Sequence, residues 1–161
     1  MKTDSLFFFP DHNQNRYNDS MKTDGMTLEK TVRKYYLEYG YNCSETILHA
    51  GNEYYGLGLH EEDMKLLAGF GSGMYSGSTC GALIGSVSVL SKMIVKTKAH
   101  DHLDELRPII SGLYRRFRQT GGGVTCAELR PVYHTKETKC LNTVLLAARV
   151  LEETVNEFSL F

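Results

Sequence analysis

The chain has 161 residues, 42% of them hydrophobic and 23% charged, which suits one soluble domain with a true core. A formal net charge of −1 gives no electrostatic case for nucleic acid or an anionic membrane as partner.

Residues 1–25 read as an N-terminal extension. Phe7-Phe8-Phe9 is too short for the apolar region of a secretory signal and is followed by Pro10 and a polar, aperiodic run. The expected compartment is the reducing cytoplasm, where four cysteines point to metal or redox chemistry before structural disulfides.

Residues 26–161 read as a single all-α domain, a bundle of about six helices. Leu28, Val32, Tyr35, Tyr36 and Tyr39 recur at helical spacing up to a stop at Gly40. A second helix is expected from Cys43 to Tyr55, ended by Gly56 and Gly58. A short third follows His60, with Met64, Leu66 and Leu67 facing inward.

The segment from Gly69 to Thr79 is glycine-rich and feeds a central buried helix that starts at Cys80. It has neither phosphate-binding glycine pattern, so a nucleotide site is set aside. Its expected use is close backbone approach around Cys80, with N–H groups left free for sulfur. Gly81 and Gly85 carry small-residue spacing that lets another helix approach. The apolar run from Leu83 to Val95 is interrupted by Ser86, Ser88, Ser91 and Lys92, so it reads as a buried helix and not a membrane span.

A fifth helix is expected over about 101–119, bent or restarted at Pro108. A short turn at Cys126–Leu129 precedes Pro131, and the last helix runs from about Lys136 to Phe158. Its apolar stripe is Leu141, Val144, Leu145, Ala148, Leu151 and Val155.

The chemistry concentrates in Cys43, Cys80, Cys126 and Cys140. Asn42-Cys43-Ser44-Glu45, Thr79-Cys80-Gly81-Ala82 and Thr125-Cys126-Ala127-Glu128 share one grammar, a capping residue followed at once by a thiol. One helix end stabilises an anion by about 0.3–1 kcal/mol, up to about 2 when partly buried. That is enough to move a thiol from roughly 8.5 to between about 7 and 8. The closest two cysteines, Cys126 and Cys140, lie 14 residues apart, so no Cys-x-x-Cys pair exists and any shared site must be assembled by the fold.

The other polar residues have plainer readings. His100 and His102 suit a solvated helix start, and His134 a loop surface. Arg115, Arg116 and Arg118 suit a helix C-terminus, and the tyrosines suit packing.

The order of these motifs resembles the redox family named for its own cysteine pattern, C_GCAxxG_C_C. The central element stands here as Cys80-Gly81-Ala82-Leu83-Ile84-Gly85, and the resemblance covers about residues 27–157. It implies an all-helical, redox-active protein with Cys43, Cys80, Cys126 and Cys140 as characteristic residues. It also implies a redox partner protein or membrane transporter system as partner, with oligomers allowed.

Three functions stay open. The first is electron transfer through an iron–sulfur cluster or other thiophilic metal, with the four cysteines as ligands, Gly81 at the cofactor, and the 69–79 loop donating N–H bonds that tune its potential. The second is a thiol–disulfide oxidoreductase or sensor in which Cys80 attacks and a neighbour resolves. The third is a non-catalytic helical module whose cysteines are only core.

Overall fold

The computed structural model describes residues 25–161; the expected N-terminal extension lies almost wholly outside them. The described residues form seven α-helices and no strand, the all-α bundle expected.

Thr27 caps α1 (Leu28–Arg33), its hydroxyl accepting from the Lys30 N–H. The chain then widens into a π turn (Lys34–Glu38) and leaves through Gly40 at φ +73°. Helix α2 (Cys43–Tyr55) ends on left-handed Gly56. Helix α3 (Glu61–Met64) tightens into a 3-10 segment, Lys65–Phe70. That tightening turns Met64 and Leu67, three apart, inward together and leaves Leu66 75% exposed, against the expectation for it.

Helix α4 (Gly81–Ile94) is central. Its closest neighbour is α2, because glycines remove the side chains that would hold the two apart. A Cβ on Gly85 would lie 2.7 Å from the Ser44 carbonyl oxygen, and one on Gly51 of α2 would lie 2.5 Å from Val89. The packing role expected for the Gly81/Gly85 spacing is therefore the observed one.

Helix α5 (Leu103–Gly121) lays Ile109, Leu113, Phe117 and Gly121, each four apart, into the core against α7 (Leu141–Glu157). Neither helix proline acts as expected. Helix α5 runs unbroken through Pro108, and α6 (Cys126–Tyr133) continues through Pro131. Both sit in the sixth position of their helix on an exposed side, where the missing N–H removes one ladder bond near a helix start.

Helix α7 begins five residues later than Lys136. Thr135 and Lys139 exchange backbone hydrogen bonds, and the Thr135 hydroxyl accepts from the Thr138 N–H at 2.9 Å, so a closed turn holds this stretch. No helix among the described residues is long and apolar enough to cross a membrane.

Candidate functional site

All four cysteines stand at helix starts, and all four line one cavity of about 330 Å³. Cys43 is the first residue of α2. Asn42 accepts from the Ser44 and Glu45 N–H groups, and Glu45 accepts from the Asn42 N–H, which completes the expected capping box. The Asn42 amide also donates to the Ala68 carbonyl, tying this helix start to the 3-10 segment Lys65–Phe70. The Cys43 sulfur rests where α4 comes closest: a Cβ on Gly81 would lie 2.6 Å from it.

Cys80 and Cys126 are brought together by a short antiparallel bridge that sequence reasoning did not anticipate. Thr79 pairs with Thr125, flanked by Cys80 N–H to Val124 O at 2.8 Å and Cys126 N–H to Ser78 O at 2.7 Å. The two cysteines follow the paired threonines in sequence and are diagonal neighbours across the bridge. Helix α4 starts at Gly81, so the cap position falls on Cys80 and Thr79 stands one residue outside it. Cys80 itself holds the cap position and makes no side-chain capping bond. Thr125, by contrast, caps α6 with Glu128 as expected. Cys140 caps α7, and its N–H donates to the Tyr36 hydroxyl at 2.9 Å.

Burial, not the helix ends, governs the thiols of Cys43, Cys80 and Cys140. Cys80 is 4% exposed, and burial pushes it up to about 12, against the opposing pull of the Leu83 and Ala82 N–H groups. Burial also raises Cys43, opposed by the Ser72 and Ser44 N–H groups and reinforced by the Cys126 charge. Cys140 is raised by burial and then by Cys43 and Cys126, with Arg130 opposing. The expectation that helix starts favour thiolate is thus overturned at these three residues. Donors do point at the sulfurs, but loss of water outweighs them. Cys80 is correspondingly a poor attacking thiol at neutral pH.

The wall also holds residues that sequence reasoning assigned elsewhere or passed over. Tyr36 lines the cavity, where packing was expected, and His134 lines it, where loop surface was expected. Arg130 and Lys139 reach it from α6 and the turn before α7. Ser72, in left-handed backbone at φ 51°, turns its N–H toward the Cys43 sulfur. His100 and His102 lie away from the cavity, as expected.

The donor set is soft and fourfold, suited in kind to a thiophilic centre. Its grouping does not suit a single ion: no three His, Cys, Asp or Glu side chains among the described residues are placed to hold one. The sulfurs face one space without converging on one point.

Fold and site together define an all-α protein built around a four-thiol cavity. Residues 41–154 match the model of the family described as "Putative redox-active protein (C_GCAxxG_C_C)", and the chain belongs to that family. No curated protein and no solved structure matches the chain.

Proposed function

We propose that the chain performs two-electron thiol–disulfide chemistry in this cavity. The observation that carries the reading is the meeting of Cys43, Cys80, Cys126 and Cys140, from four separate helix starts, on one 330 Å³ space. Buried cysteines kept only for packing have no reason to share a cavity wall.

Cys126 is the entry thiol in this reading. It is only half-buried and opens α6, with Arg130 one turn along the same helix face. Cys43 is its resolving partner in this reading, since adjacent residues of the glycine-rich segment reach both: the Ser72 N–H turns to the Cys43 sulfur, and a Cβ on Gly73 would lie 2.9 Å from the Cys126 Cβ. Cys80 and Cys140 serve as a second pair or as fixed walls. A cytoplasmic, reducing setting and a protein redox partner go with this assignment.

The test is a free-thiol count by mass after mild oxidation and after reduction. Wild type should lose two hydrogens reversibly, and Cys43→Ser or Cys126→Ser should lose none by that route. An unchanged thiol count in wild type rules the reading out.

A second reading keeps the four cysteines as ligands of an iron–sulfur cluster, favoured by the fourfold soft donor set and the room between the sulfurs. Iron and sulfide analysis with a visible spectrum of anaerobically purified protein decides between the two. Stoichiometric iron and sulfide supports the cluster, and colourless, metal-free protein removes it.

A further inference from the structure

The cavity wall has a sign. Arg130, His134 and Lys139 line it, and no aspartate or glutamate does, although the chain as a whole carries 19 acidic residues against 18 lysines and arginines. Neither Arg130 nor Lys139 forms an ion pair among the described residues. Each cation also stands beside a thiol: Arg130 is four residues from Cys126 on one helix face, and Lys139 immediately precedes Cys140. Arg130 shares the cavity wall with all four cysteines and opposes the burial that raises the Cys140 thiol. Such a mouth attracts and orients a small anion, because its fixed cations have no carboxylate to neutralise them.

We propose that the cavity recognises a small molecule bearing carboxylates at both ends, and that its redox form is a low-molecular-weight disulfide. Arg130 and Lys139 hold the carboxylates while the disulfide lies over Cys126. The space of about 330 Å³ is at the small end of ligand pockets, which suits a molecule of this size.

The redox half rests on the thiol–disulfide reading above. Cys126 thiolate attacks one sulfur of the bound disulfide, forming a mixed disulfide and expelling the first thiolate, which takes up the proton Cys126 released. Cys43, losing its proton, attacks the Cys126 sulfur and expels the second thiolate, which takes that proton. One external disulfide is reduced to two thiols, and the protein pair is oxidised to one disulfide.

The test uses full-length reduced protein and three disulfides, 3,3′-dithiodipropionate (two carboxylates), bis(2-hydroxyethyl) disulfide (neutral) and cystamine (two ammonium groups). In low salt the dicarboxylate should react about tenfold faster than the neutral compound, and cystamine slowest. The ratio should fall toward one in Arg130→Gln/Lys139→Gln, and in wild type as salt rises, a measurement that needs no variant to fold. Adipate, a sulfur-free dicarboxylate, is added in parallel and followed by amide shifts at Cys126, Arg130, Lys139 and Cys140.

Adipate binding without any disulfide reaction keeps the recognition proposal and removes the thiol–disulfide reading. Equal rates for the three disulfides, together with no adipate shifts, overturn the recognition proposal. A rate order that survives both the double substitution and high salt overturns it as well.

Discussion

A thiol and a glycine, Cys80 and Gly81, set the character of the site. Cys80 has its first helical N–H groups within reach and is still held up to about 12, because burial removes more stabilisation from the thiolate than those dipoles return. In native protein near neutral pH, Cys80 should therefore be the slowest of the four to react with iodoacetamide. Its rate should climb about tenfold per pH unit well past the range of an ordinary thiol. Isotope-coded alkylation followed by peptide mapping reads this, and Cys80 labelled first would be the contrary result. At Gly81 the crowding is two-sided. An added methyl meets the Cys43 sulfur and the Phe70 carbonyl oxygen, each at 2.6 Å. The sulfur is on a short side chain and the carbonyl is main chain, so neither swings away cheaply. Gly81→Ala should lose about 1–3 kcal/mol in a urea titration despite alanine's better helix propensity. A neutral or stabilised variant would mean that α2 and α4 separate more easily than their packing implies.

The helix starts do the assembling, and they were unequally legible in the sequence. Asn42 with Glu45 and Thr125 with Glu128 have the spacing of a capping box, and both boxes form, because the bonds that make them lie within three residues of sequence. Thr79 also precedes a thiol but has Ala82 where the boxes have glutamate, and it pairs with Thr125 across 46 residues, a bridge that no local pattern carries. The same limit hid Tyr36, Arg130, His134 and Lys139. Each lies on an element with an adequate plain role, and only the closing of the bundle turns it to the sulfurs. Helix existence, by contrast, followed from apolar periodicity throughout. The misplacements were at ends and turns, where tight 3-10 and closed-turn hydrogen bonding replaced the regular helix at Lys65–Phe70 and Thr135–Lys139. The two boxes also predict an order of stability. Thr125→Ala removes one cap on an exposed helix start and should cost about 1 kcal/mol. Asn42→Ala removes a cap and also the amide bond to Ala68, so it should cost more, toward about 2 kcal/mol. Paired urea melts check this, and a Thr125→Ala loss equal to or above that of Asn42→Ala contradicts it.

Across the whole molecule the cavity is joined to the α1 end of the bundle by a stack of rings, and that stack gives the fold its expected response to acid. Tyr41 forms part of the cavity wall and stacks on His49 at 4.0 Å; His49 stacks in turn on Tyr35 at 5.2 Å, whose hydroxyl donates to Glu53 at 2.6 Å. His49 is 4% exposed, and burial lowers it below the ordinary histidine value, although Glu61 and Glu45 pull the other way. Glu61 approaches no nearer than 3.9 Å, too far to compensate for the lost water. The unfolded chain therefore binds a proton at this residue more readily than the folded one. By linkage, the contribution of neutral His49 is fully present above about pH 6.5 and is lost as pH falls from there toward the folded value. Wild type and His49→Phe, compared by urea titration from pH 7.5 down to 5, should give a stability difference that shifts in favour of the phenylalanine variant only below about pH 6.5. Parallel curves over that range would show that the imidazole binds its proton equally well in the folded and unfolded chain, and would overturn the burial argument. A difference that shifts toward wild type as pH falls would instead mark a cationic ring stack, held by Glu61 and Glu45 against the effect of burial.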